Sequence, residues 1–203
     1  MIVSHKFQCQ YCRTLVIVHG ASELQILRYI RSKLRLPIRE YSRQNGSSSI
    51  QISGLMSILN SSIDFKNPKG FLRKYNNVEV EKGYPKDLAV FPIMDTDDCD
   101  DKTKQSYMDR SLFKEHWMHD FITPIYNTPS LEDVMVFCKL INKKLSDNEK
   151  VPTYQKLFPI TSNGTNYDEI IALRDCLAKC PNTNFDVLID HCLKLADEVK
   201  VRC

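Results

Sequence analysis

Two uninterrupted apolar runs, TLVIV at residues 14–18 and LAVFPIM at 88–94, constrain this chain more than any other feature. Neither alternates polar with apolar positions, so each reads as a strand buried on both faces. Strands of that kind belong to parallel sheets covered by helices. The segment after the first run fits. His19-Gly20-Ala21-Ser22 turns the chain, and Ser22 is the expected N-cap of a helix that runs to about residue 35 and stops before Pro37. On that helix Leu27, Ile30 and Leu34 share one face with Glu23 of the first turn, while Arg28, Arg31 and Arg35 lie on the opposite face. Glu23 is thereby expected over the carboxyl end of the first strand.

The remaining pattern alternates in the same way. A strand is predicted over 38–42 and a helix over about 48–59. Residues 61–86 are polar and turn-rich and read as a long insertion with little regular structure. The second apolar strand follows, then a helix over about 104–118, a strand over 121–126, and a helix starting near Ser130 with Glu132 and Asp133 in its first turn. Helices at about 167–179 and 185–199 complete the chain, and no internal repeat is visible. The expected class is α/β: a parallel sheet flanked by helices in residues 1–145, with 146–203 as a helical C-terminal extension packed on the same domain. Phe113, Trp117, Phe121, Phe137 and Phe158 fall at core-like spacings.

No apolar run reaches membrane-spanning length, and the first residues lack a signal-peptide pattern, so a cytoplasmic protein without a membrane partner is expected. The net charge of +3 conceals a split. Residues 1–80 carry 12 Lys and Arg against 4 Asp and Glu, whereas residues 81–203 carry 16 against 21. A polyanion near the basic half and a cation near the acidic half would satisfy it. Among the 8 cysteines, Cys138, Cys176 and Cys192 lie in helical patterns as small hydrophobes. Cys9-x-x-Cys12, with His5 before it, has half of a zinc-knuckle spacing but no second close pair, so zinc there is not expected.

The second strand ends in Asp95-Thr96-Asp97-Asp98-Cys99-Asp100-Asp101. Carboxylates this dense repel one another, and a hard divalent ion such as Mg²⁺ or Mn²⁺ relieves the repulsion with oxygen ligands. Asp95, Asp97 and Asp98 are the candidate ligands, with Glu23 arriving from the neighbouring strand–helix turn. An EF-hand is excluded, because the sixth position from Asp95 is Asp100 rather than Gly, and the twelfth is Ser106 rather than Glu.

A strand followed by His19-Gly20-Ala21-Ser22-Glu23, and later a strand followed by Asp95-Thr96-Asp97, resembles the TOPRIM domain of topoisomerases, primases and a set of phage-defence and repair nucleases. The resemblance spans about residues 13–130. Within that group the first motif is similar to the EG-x-T-E pattern of overcoming-lysogenisation-defect nucleases and RloB-like defence proteins. Tyr126-Asn127-Thr128-Pro129-Ser130-Leu131-Glu132 resembles the SNP-x-x-E stretch of the latter. The resemblance implies a Rossmann-like TOPRIM sheet and a Mg²⁺- or Mn²⁺-dependent nuclease acting on DNA or RNA in phage defence. A homodimer or a defence-system protein would be its partner. His19 stands where that family has Glu, and an imidazole can ligate Mn²⁺ or move a proton but is a poor Mg²⁺ ligand. The expected catalytic set is His19, Glu23, Asp95 and Asp97. Arg28, Arg31, Arg35, Lys69, Arg73 and Lys74 are expected on the phosphate backbone. Two rivals remain. One is an inactive TOPRIM-like nucleic-acid-binding scaffold. The other is a haloacid-dehalogenase-type phosphatase, disfavoured because Cys99 occupies the position where that motif carries Thr or Val.

Overall fold

A computed structural model describes residues 11–160 and 165–202. Cys9 and His5 lie outside the described residues, so the zinc question falls there; Cys12 is buried and its thiol donates to the Thr14 carbonyl. The order of elements is β1 (Thr14–Val18), α1 (Ala21–Leu34), β2 (Ile38–Tyr41), α2 (Ile52–Ser61), α3 (Pro68–Lys74), β3 (Val80–Glu81), β4 (Tyr84–Pro85), β5 (Ala89–Asp95), α4 (Asp101–Met108), β6 (Ile125–Asn127), α5 (Leu131–Phe137), α6 (Asp147–Leu157), α7 (Tyr167–Leu177) and α8 (Phe185–Arg202). Four strands form one sheet in the order β2-β1-β5-β6, every pairing parallel. The protein is an α/β fold of Rossmann-like form.

The apolar runs are explained by burial on both faces. Val16 and Val18 of β1, with Phe91 and Ile93 of β5, pack under α1, α5, α6, α7 and α8. Leu15 and Ile17, with Val90 and Met94, face a second core built from α2, α3, α4 and the turns around Phe113 and Met118. Pro92 sits within central β5 at a level that β6 does not reach, since the pairing to β6 begins at Ile93. There the buried Tyr107 hydroxyl lies 2.7 Å from the Pro92 carbonyl and 2.9 Å from that of Ile125, tying the two strands together. The outer edge of β6 is covered by residues 182–184. The Asn182 carbonyl accepts from Thr128 N–H, and Asn184 bonds the backbone of Tyr126 and Pro124 through its side chain.

Several expected boundaries move. Gly20, not Ser22, is the N-cap of α1, and α2 begins at Ile52. The helix expected over 104–118 ends at Met108 and continues as short 3-10 turns. The insertion at 61–86 is more regular than expected. Asn67 caps α3 by accepting from Gly70 N–H, Pro68 occupies the first turn, and β3 and β4 form a hairpin. Helix α6, which the apolar periodicity does not announce, opens on a Ser146 and Glu149 capping box and carries Pro152 inside it. Phe137 is 51% exposed and is not a core residue. No helix of the described residues is long and apolar enough to cross a membrane.

Helix α3 docks so closely that a Cβ on Gly70 would stand 2.0 Å from the Ile63 carbonyl oxygen, whereas one on Gly54 of α2 would meet nothing within 4 Å. Gly70→Ala is therefore expected to cost about 2 kcal/mol or more in urea unfolding. Gly54→Ala should stabilise by roughly 0.5–1 kcal/mol.

Candidate functional site

From β1 the chain crosses through α1 to β2 on one side, and from β5 it crosses through α4 to β6 on the other. The strand order reverses between β1 and β5, and in open α/β sheets the crevice beyond the carboxyl ends of such a pair is where ligands bind. His19 directly follows β1, and Asp95 is the last residue of β5. Asn127 ends β6 in register with Asp95. Glu23 lies in the first turn of α1 and reaches back so that its Oε2 accepts from Gly20 N–H at 2.9 Å. Asp95 Oδ1 accepts from Asn127 Nδ2 at 3.1 Å and from Leu131 N–H, at the start of α5, at 3.0 Å. Each carboxylate is thus oriented through one oxygen, and the other oxygen lies outside these bonds.

Glu23, Asp95 and Glu132, the second residue of α5, are 3%, 7% and 8% exposed, and their charges act on one another. Burial pushes the Glu23 carboxyl above its usual range, with the Glu132 charge adding to the effect and the His19 charge opposing it. Burial, reinforced by the charges of Glu23 and Glu132, pushes Asp95 up to about 8 against the pull of its two hydrogen bonds. Lys150 Nζ lies 3.6 Å from Glu132 Oε1, and the Glu132 charge is also felt by Lys144. Concentrated negative charge in a desolvated crevice is the electrostatic setting in which a cation gains most.

Beside this cluster lie His19 and Asp98. The His19 ring nitrogen Nδ1 is 2.8 Å from the Ile50 carbonyl, which can only accept, so Nδ1 carries the hydrogen and a neutral ring keeps its lone pair on Nε2. Both carboxylate oxygens of Asp98 are buried and meet no donor in full hydrogen-bond geometry, while the Ile52 N–H and its own N–H lie near enough to pull its pKa down. Burial raises its pKa, the neighbouring Asp97 adds to this, and the His19 charge opposes it. Asp97 itself is exposed; its N–H donates to the Pro129 carbonyl, and its charge is felt by Lys144 and Asp98. The structure therefore brings His19, Glu23, Asp95 and Asp98 to one rim, with Asp97 on its solvent side. Among the described residues no three His, Cys, Asp or Glu side chains already stand in an arrangement that encloses an ion.

The expected basic surface is partly spent on other contacts. Arg28 and Arg31 both bind Glu40 of β2, at 2.7 and 3.1 Å. Lys74 lies 3.8 Å from Asp64. Arg35, Lys69 and Arg73 are exposed.

No protein-family model, no curated protein and no solved structure matches the chain. The site therefore rests on its own residues. Two members stand outside the catalytic and metal sets expected from the sequence: Asn127 and Glu132, both within the 126–132 stretch that carries part of the resemblance. The register of β6 with β5 brings in Asn127, and the first turn of α5 brings in Glu132.

An acid whose pKa is raised by folding stabilises the native state below its unfolded pKa and loses that contribution as pH rises toward the folded value. In chelator, the wild-type protein should lose stability from about pH 4 to about pH 8. Asp95→Asn keeps the acceptor oxygen for Asn127 and Leu131 and should flatten that slope, gaining several degrees in Tm at the upper end. Parallel slopes in thermal melts of the two proteins would contradict the assignment.

Proposed function

We propose that the chain is a TOPRIM-type protein that binds Mg²⁺ or Mn²⁺ at the rim between β1 and β5 and hydrolyses nucleic-acid phosphodiesters. One observation carries the reading. Glu23 and Asp95, 72 positions apart in sequence, are both buried at the switch point of the sheet within range of each other's charge, beside the buried carboxylate of Asp98. The donor set fits a hard cation: Glu23 and Asp95 would hold it, with Asp98 and Glu132 adjacent. When bound, such an ion polarises a phosphoryl oxygen and lowers the pKa of a water.

The chain's own residues supply the rest. His19, held by the Ile50 carbonyl in the tautomer that leaves Nε2 free, accepts a proton from the attacking water. Asp98 is a carboxylate that feels the His19 charge. Gly20 N–H on Glu23, and Asn127 with Leu131 N–H on Asp95, keep the carboxylates from turning away. Lys69 and Arg73 are exposed and available to a phosphate backbone, whereas Arg35 lies at the opposite end of α1 from Glu23, and phosphate contacts weaken with salt.

The test is incubation of plasmid, single-stranded DNA and RNA with the protein and Mg²⁺ or Mn²⁺. Asp95→Asn and Glu23→Gln should each abolish cleavage, and His19→Ala should slow it by roughly 10²-fold or more. Equal cleavage by wild type and Asp95→Asn would mean a contaminant. Absence of cleavage with nucleic-acid binding retained would assign the chain to an inactive TOPRIM-like scaffold.

A further inference from the structure

Helix α6 lies beyond the segment that carries the strand-end motifs, yet it sends two polar side chains to the crevice. Lys150 and Tyr154 are four residues apart and share a helix face. Lys150 Nζ stands 3.6 Å from Glu132 Oε1 and 3.4 Å from Asp147 Oδ1. Tyr154 is fully buried, its ring 6.0 Å from that of Phe158. Burial and the charges of Glu132, Glu23 and Asp95 hold its hydroxyl un-ionised well above the ordinary tyrosine range. That hydroxyl has no hydrogen-bond partner among the described residues; Ser22 of α1 approaches it without reaching hydrogen-bond geometry. A buried phenol usually finds a partner, because leaving it unbonded is costly. Here the hydroxyl is an O–H donor within range of the charges of three carboxylates and bonded to none of them.

We propose that Tyr154 is a positioning residue of the cation site, its hydroxyl donating a hydrogen bond to an oxygen atom coordinated to a divalent ion on Glu23 and Asp95. The inference rests on the cation reading of the crevice given above. It makes α6 a wall of the site rather than an appendage. It also gives the two α6 side chains opposite effects on the same ion. The Tyr154 hydroxyl favours it by holding its coordinated oxygen, an outer-sphere contact that typically changes metal affinity 10- to 100-fold. The Lys150 ammonium opposes it, as a like charge at Glu132.

The experiment titrates the full chain with Mn²⁺ alone, by calorimetry and by ultraviolet difference absorption of tyrosine. Wild type should bind Mn²⁺ with a tyrosine difference band. Tyr154→Phe, which keeps the ring packing, should bind about tenfold more weakly and lose the band. Lys150→Met should bind more tightly. Tyr29→Phe, which removes a hydroxyl bonded to Glu169 away from the crevice, should match wild type. Wild-type affinity and an intact band in Tyr154→Phe would overturn the role of Tyr154 while leaving the cation site standing. Weakening by both α6 variants would also overturn it, since a displaced helix would produce that result. Absence of Mn²⁺ binding to wild type would overturn the cation reading itself and the role of Tyr154 with it.

Discussion

Two acidic side chains buried within range of each other's charge are the constraint around which this molecule is arranged. Glu23 and Asp95 cannot both be ionised in a desolvated crevice without raising each other's pKa or attracting a cation. The fold nonetheless holds them there. Backbone N–H groups at the starts of two helices, Gly20 before α1 and Leu131 opening α5, bind one oxygen of each. Helix N-termini favour negative charge, so the same groups that orient the carboxylates offset part of the electrostatic cost. Parallel β1 and β5 bring those two helix starts to one rim, and a shift in the register of β5 would separate them.

The part of this arrangement legible in the sequence is the part written in apolar runs. The strand at 14–18 was bounded to the residue, because β-branched and apolar side chains buried on both faces leave no ambiguity of period. Asp95 at the end of β5 and Glu23 in the first turn of α1 followed from strand length and helix phase. The D-x-D spacing does not tell which side of the rim Asp97 takes. Once β5 ends, the alternation of faces no longer applies, and Asp97 turns to solvent. Short elements held by caps and tertiary contacts carried little periodic signal. Helix α3 is seven residues long, and α6 has Pro152 in its interior and a weakly apolar face. The pairing of Arg28 and Arg31 with Glu40 could not be read either, since it depends on β2 lying alongside α1.

The C-terminal helices are joined to the crevice by more than apolar packing. The Thr183 hydroxyl, whose nearer acceptor is the Tyr126 carbonyl at 2.8 Å, stands 3.0 Å from Asn127 Oδ1, and the same amide donates through Nδ2 to Asp95. Asn127 is fully buried, so its orientation is fixed by these two partners. Residues after α7 therefore set the angle of a carboxylate at the end of a strand nearly ninety positions earlier, which is why the division at residue 145 describes the order of the chain better than the organisation of the site.

The cover that residues 182–184 place on β6 has a consequence for how the molecule behaves in a crowd. A sheet grows by recruiting a foreign strand only where backbone donors and acceptors stand open. On the β6 side those groups are taken by Asn184 and the Asn182 carbonyl. On the opposite margin β2 is four residues long and carries Arg39 and Glu40, a short and charged border that resists such recruitment. One flank of the sheet is covered and the other is short and charged, so neither invites unplanned strand exchange.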